Sequence, residues 1–146
     1  AFEKLIRYFE KQEEPVLIVM FGDHQPSVEQ EFLDKAYGVE QKDMTMAQYM
    51  GKFRVPFMIW NNYGLEVEAP EITSLNFLGQ YVLECVGIDG GEYSDFLREF
   101  QQEIPALTFS GYFDSEGKAH SHLETNELDE VIGEYETVQY YRMFEK

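Results

Sequence analysis

Apolar residues follow two different spacings in the first part of the chain, and each spacing predicts a different element. Residues 2–12 carry apolar side chains at helical spacing, which predicts an amphipathic helix that Pro15 ends. These side chains are Phe2, Leu5, Ile6 and Phe9. Residues 16–21 are an unbroken run of β-branched and bulky apolar residues, typical of a strand covered on both faces, as in a parallel sheet flanked by helices.

Polar residues end this strand abruptly. Gly22 to Pro26 forms a predicted turn, and Ser27 with Gln30 has the spacing of a capping box that opens a helix. The Met-rich residues 37–52 are predicted to include a short helix. A second apolar run, Val55 to Trp60, predicts another buried strand that ends in a turn.

Three further helices are indicated in the second half of the chain. Thr73 or Ser74 can cap the first of them, and Gly87 stands where a helix end favours a left-handed residue. The other two have apolar stripes at helical spacing, one ending at Pro105 and one running from Leu128 to Val138.

Between these last two helices the pattern changes to alternation. Residues 107–113 alternate apolar and polar side chains, and residues 114–117 supply a turn, so an exposed antiparallel hairpin is predicted. Together the elements predict a single α/β domain over residues 1–146. It has a layered, mostly parallel sheet with helices on both faces and a C-terminal hairpin.

The net charge of the chain excludes one class of function. Asp and Glu number 28 against 11 Lys and Arg, so the net charge is -17 and nucleic-acid binding is not expected. Cys85 is the single cysteine, which excludes an intrachain disulfide. No apolar run reaches the roughly 20 residues of a membrane span, so the chain is expected to be soluble. Because helical periodicity is already present at Ala1, we expect the chain to be part of a longer protein.

Asp23 and His24 are the first candidates for chemistry because they directly follow the most apolar strand, where functional groups of α/β sheets gather. A carboxylate and an imidazole together suit manganese, zinc or magnesium better than calcium. Two ligands are too few for a complete site. The structural alternative is that Asp23 caps the turn and His24 is satisfied by hydrogen bonds.

Other candidates are weaker. His120 and His122 would share a face of a strand, but they lie in a polar stretch where exposure is the expected outcome. The sequence contains no Gly-x-Ser-x-Gly elbow and no phosphate-cradling glycine loop, so no catalytic nucleophile is assigned.

Residues 15–26, PVLIVMFGDHQP, closely resemble the strand and metal-binding loop of lipoteichoic acid synthases and phosphoglycerol transferases, members of the alkaline phosphatase and sulfatase superfamily. Further similar segments follow in the same order over nearly the whole chain. They are VPFMIWNNYG at 55–64, TSLNFLGQYVLECVGID at 73–89 and YETVQYYRMF at 135–144.

The resemblance implies that Asp23 and His24 coordinate a divalent metal, usually manganese or magnesium. It implies a partial alkaline phosphatase-like fold, with the threonine nucleophile and a glutamate ligand in a preceding part of the domain. The parent would transfer or hydrolyse phosphoryl or sulfuryl esters, with an anionic phospholipid or a phosphate or sulfate ester as substrate. It would lie on the extracellular face of a bacterial membrane, anchored by upstream helices.

Two other hypotheses stay open at this point. One is a non-catalytic extracellular binding module on the same sheet, and the other is part of a sulfatase proper with a formylglycine motif upstream. The sequence preceding Ala1 would separate them. A loop threonine after membrane spans favours the transferase, and a signal peptide joined directly to Ala1 favours the module.

Overall fold

The computed structural model describes residues 1–145, which form a mixed α/β arrangement. The helices are α1 (Phe2–Phe9), α2 (Gln30–Tyr37), α3 (Met46–Gly51), α4 (Leu75–Cys85), α5 (Gly91–Glu103) and α6 (Asp129–Phe144). The strands are β1 (Leu17–Phe21), β2 (Phe57–Asn61), β3 (Ala106–Leu107), β4 (Gly111–Phe113) and β5 (Ala119–Ser121). A short 3-10 helix covers Gln41–Asp43.

The prediction of a mostly parallel sheet is wrong. β1 and β2 pair antiparallel, with Leu17 opposite Asn61 and Phe21 opposite Phe57, and β3, β4 and β5 form a second antiparallel sheet. An apolar run reports burial and carries no information on strand direction. Helices α2 and α3 lie between β1 and β2 and return the chain to the side of β1, where β2 pairs with it in the antiparallel direction.

Strand β1 is also less covered than its apolar run predicts. Met20 is 42% exposed and Phe21 is 48% exposed, so the end of the strand is open to solvent. The two-stranded sheet therefore does not have both faces buried by the described residues.

The main core lies between the last three helices, α4, α5 and α6, and the three-stranded sheet. Its buried residues are Phe77, Leu97, Phe100, Ile104, Tyr112, Ile132 and Tyr135. Phe100 stacks on Tyr135 with ring centroids 4.6 Å apart, and Phe77 meets both rings at an angle. The helical stripes predicted for α5 and α6 supply this core, whereas α4 contributes Phe77, which lies outside its predicted stripe.

The predicted hairpin is present but it is not exposed. Residues Gly111–Phe113 of β4 are buried, with Tyr112 1% exposed, because β4 is the middle strand of its sheet. The turn at residues 114–117 joins β4 to β5 as expected. A second small core, formed by Met50, Ala106 and Phe113, joins α3 to this sheet.

Helix boundaries follow the capping chemistry in some places and not in others. The predicted capping box at Ser27 does not form, since α2 begins at Gln30 and its N-cap residue Glu29 makes no side-chain capping bond. A capping box forms instead at Thr45 and Gln48 and opens α3. Gly87 has the predicted left-handed conformation, with φ of 69°.

Helix α1 contains no buried residue, and the side chain of Asn62 connects it to the sheet. The Asn62 Nδ2 group lies 3.0, 3.1 and 2.9 Å from the carbonyl oxygens of Phe9, Gln12 and Glu14. Its Oδ1 accepts from the Val16 N–H at 2.8 Å. One amide therefore fixes the chain between α1 and β1 against the end of β2.

No helix among residues 1–145 combines the length and the apolar character needed to cross a membrane.

Candidate metal-binding turn and the adjoining cavity

The turn that carries Asp23 and His24 is held against the segment before β2. The Gly22 N–H donates to the Pro56 carbonyl at 3.0 Å, and the Gln25 side-chain amide donates to the Arg54 carbonyl. A Cβ added to Gly22 would lie 2.9 Å from the Cβ of Val55. Only glycine permits this close approach without a shift, so residue 22 sets the distance between the turn and its neighbour.

The side chains of Asp23 and His24 meet at one point. Asp23 Oδ2 lies 3.4 Å from His24 Nε2, while Asp23 Oδ1 accepts from the His24 N–H at 2.9 Å. His24 Nδ1 lies 2.8 Å from the Gln25 carbonyl oxygen. A carbonyl only accepts, so Nδ1 carries the proton and Nε2 of the neutral ring presents its lone pair.

This donor set fits a divalent cation. Asp23 Oδ2 and His24 Nε2, 3.4 Å apart, are close enough for one divalent cation to bind both. The hydrogen bond from His24 Nδ1 to the Gln25 carbonyl is the arrangement usual for a metal-bound histidine. The side chains of Asp23 and His24 are 84% and 76% exposed, so an ion has open access.

No further metal-binding side chain lies with Asp23 and His24 in the described part of the chain. Among residues 1–145 no group of three or more His, Cys, Asp or Glu side chains could hold a metal ion. The turn thus provides two candidate donors. The contacts of the structural alternative are also present, since Asp23 accepts a hydrogen bond within the turn and His24 forms one through Nδ1.

A cavity of about 410 Å³ adjoins the turn. Its wall includes Phe21 and Asp23 from the end of β1 and its turn, and the segment from Arg54 to Phe57. The remaining wall comes from the end of α3, the start of α4 and the β3–β4 region. The cavity therefore lies where the two sheets meet.

The sequence did not reveal this cavity, because its wall combines segments that are far apart in the chain. The only sequence signal is the position of Asp23 at the end of β1. The sequence also gives no reason to single out Arg54, which lines the same cavity.

The two other histidines behave differently from each other. His122 is exposed, as predicted, and its Nε2 lies 2.8 Å from the Thr108 carbonyl oxygen. The prediction of exposure is wrong for His120, which is buried, stacks on Tyr112 with centroids 5.1 Å apart, and lies 2.6 Å from Asp114 Oδ2. Neither forms a metal-binding group with other described residues.

The pKa of Asp114 is lowered by this arrangement. Burial alone would raise it, but the hydrogen bond from His120 and the backbone N–H groups of Lys118 and Glu116 outweigh burial because they stabilise the carboxylate. This pair is a structural contact of the β4–β5 hairpin.

The fold and the turn define a mixed α/β domain in which a carboxylate and an imidazole project together from a strand end. A family model described as Sulfatase matches residues 1–88, which include β1, the Asp23–His24 turn, β2 and α4. The chain belongs to the sulfatase family. No curated protein and no solved structure matches it. Domains of this family act on sulfuryl or phosphoryl esters and are generally metal-dependent.

Proposed function

We propose that the chain is part of a metal-dependent enzyme of the phosphoglycerol transferase type, in which Asp23 and His24 are two ligands of a divalent cation. The observation that carries this proposal is the 3.4 Å approach of Asp23 Oδ2 and His24 Nε2 at the end of β1. The sulfatase match over residues 1–88 and the resemblance of residues 15–26 to the family's metal-binding loop support it.

Each residue of the turn has a separate task in this proposal. Asp23 supplies the negative oxygen Oδ2 and stabilises the turn through Oδ1. His24 supplies Nε2, and the Gln25 carbonyl fixes the ring and its tautomer. The cation, with manganese the first choice and magnesium or zinc the others, would lower the pKa of a nucleophile and neutralise charge on the transferred group.

The same proposal covers the longer protein of which this chain is a part. Residues outside this chain supply the nucleophile and the remaining ligands, so the chain alone is inactive. The substrate is an anionic phospholipid or another phosphate or sulfate ester. The domain lies on the extracellular face of a bacterial membrane and is anchored there by helices outside residues 1–146.

Manganese titration followed by electron paramagnetic resonance tests the ligand assignment. We expect Asp23→Asn and His24→Ala each to weaken Mn²⁺ binding by about tenfold or more, since each removes one of two ligands. The matched controls Asp43→Asn and His122→Ala should bind as the parent chain does. Equal affinity in all five proteins would contradict the assignment.

Hydrolysis of a chromogenic phosphodiester in the presence of Mn²⁺ tests whether the centre is incomplete. We expect no turnover from the 146-residue chain. Robust turnover that disappears in Asp23→Asn would show a complete centre within these residues and would overturn the two-ligand proposal.

A further inference from the structure

We propose that the cavity beside the Asp23–His24 turn is a substrate subsite, in which Arg54 binds the anionic group of the ester and Phe53 and Phe109 contact its organic part. The class of ligand rests on the proposed function. The assignment of the three residues rests on the contacts described below.

Several hydroxyl and amide groups of the cavity wall already form hydrogen bonds within the protein. Ser74 Oγ donates to the Leu107 carbonyl at 2.8 Å and accepts from the Leu107 N–H at 2.7 Å. Thr108 Oγ1 lies 3.2 Å from the Gly111 carbonyl oxygen, and Asn76 donates to the Tyr135 hydroxyl at 2.8 Å. The charged groups are therefore the first candidates to bind an ionic ligand.

Arg54 is the one basic residue of the cavity wall, and it forms no salt bridge within the described part of the chain. Its backbone is fixed at both ends, since its N–H donates to the Gly51 carbonyl at 3.2 Å and its own carbonyl accepts from Gln25. The guanidinium carbon lies 5.3 Å from the centre of the Phe113 ring. A guanidinium held on an aromatic face keeps its N–H groups available for an oxoanion.

Two aromatic side chains form the rim of the same cavity. Phe109 is 81% exposed, and its ring meets Phe53 edge to face with centroids 5.2 Å apart. Burial within this chain does not account for an aromatic ring at this position, whereas contact with the apolar or aromatic part of a ligand would. The cavity thus combines one cation with an apolar rim.

Two carboxylates oppose anion binding in this cavity. Asp23 and Glu71 both belong to its wall, so without a cation an incoming phosphate meets two negative charges and one positive charge. A metal ion at Asp23 and His24 changes this balance. Anion binding should therefore be tighter in the presence of Mn²⁺, and removal of the Glu71 charge should strengthen it.

Calorimetric titration of the full chain with inorganic phosphate and with phenyl phosphate, with and without Mn²⁺, tests the subsite. We expect Arg54→Gln to weaken binding of both ligands by about tenfold or more, as for the loss of a charge-assisted hydrogen bond. Phe109→Ala should weaken phenyl phosphate alone, and Glu71→Gln should strengthen both. Arg98→Gln, a remote arginine paired with Glu84 and Asp95, is the control and should leave both unchanged.

The outcomes separate this inference from the proposed function. If Mn²⁺ binds through Asp23 and His24 but Arg54→Gln binds phosphate as the parent chain does, or the parent chain binds none, the subsite is wrong and the metal assignment stands. If phosphate binding depends on Arg54 while Mn²⁺ does not bind, the subsite stands and the metal assignment fails. Loss of phenyl phosphate binding in Arg98→Gln as well would indicate non-specific charge attraction and overturn the subsite.

Discussion

Gly22 has a role that its neighbours Asp23 and His24 depend on. The backbone of the turn approaches Val55 so closely that a Cβ at residue 22 would lie 2.9 Å from the Val55 Cβ. The steric demand comes from a side chain more than 30 positions away, so the sequence marks Gly22 only as a residue that allows a turn.

The change Gly22→Ala should destabilise the protein by about 1–3 kcal/mol, because either the turn or Val55 must shift. Urea unfolding measures the loss. The control is Gly79→Ala, since a Cβ at this position within α4 meets nothing within 4 Å. Alanine there should stabilise by about 0.5–1 kcal/mol. If both substitutions stabilised the protein, the contact with Val55 would be shown not to matter.

Asp114 provides a test that depends on pH. Its pKa is lowered in the folded protein, so its stabilising contribution is present above the ordinary aspartate value of about 3.9 and is lost as the pH falls through the lowered value. Asp114→Asn should therefore cost about 1–3 kcal/mol at neutral pH, and the cost should shrink in acid. Unfolding free energies from pH 7 to pH 3 measure this, with the exposed Asp43→Asn as control. A constant difference between the parent chain and Asp114→Asn would contradict the role of the charge.

The sequence shows that Asp23 and His24 are neighbours at a turn, but it does not show that His120 is buried. Asp23 and His24 meet because they are adjacent at a turn, which is visible in the sequence. His120 is buried because the register of β4 and β5 places it opposite Tyr112, and the turn brings Asp114 to its ring. Such pairing across a hairpin depends on register, which a polar stretch does not reveal.

The elements themselves were largely predictable, and their pairing was not. Helices α4, α5 and α6 follow the apolar stripes, and β1 and β2 follow the two apolar runs. The antiparallel direction of β1 and β2 is fixed by backbone hydrogen bonds between strands, and any sequence of apolar residues can form these in either direction. The fold class was therefore correct as α/β and wrong as mostly parallel.

Helix α3 offers a test of capping. Thr45 accepts from the Gln48 N–H at 3.3 Å, and Gln48 accepts from the Thr45 N–H at 2.9 Å, so Thr45→Ala should cost about 1 kcal/mol. Thermal unfolding measures it. Ser27→Ala is the matched control, because Ser27 has the capping-box spacing but precedes α2 without capping it. A larger loss at Ser27 than at Thr45 would contradict the assignment.

The molecule as a whole has an uneven distribution of burial. The largest cluster of buried residues belongs to α4, α5, α6 and the three-stranded sheet, while α1, β1 and α2 contain no buried residue. The candidate site lies between these two regions. Its cavity could not be predicted from the sequence because it depends on how the two sheets meet.

Hydrogen exchange should show this difference directly. Amide protons of α5 around Leu97 and Phe100, which belong to the main core, should exchange much more slowly than those of β1, since sparsely packed elements open locally at low free energy. Exchange followed by mass spectrometry or by NMR measures both regions. Equal protection of α5 and β1 would show that the main core and the two-stranded sheet unfold as one unit.

The side-chain amide of Asn62, which attaches α1, is also a group that can be modified chemically. Deamidation converts asparagine to aspartate, and at residue 62 this would replace a donor by a carboxylate oxygen among the carbonyls of Phe9, Gln12 and Glu14. Three acceptors would then face an acceptor, and the apolar side chains of α1 are at most partly buried. Deamidation at this position would therefore weaken the attachment of the first helix while leaving the main core intact.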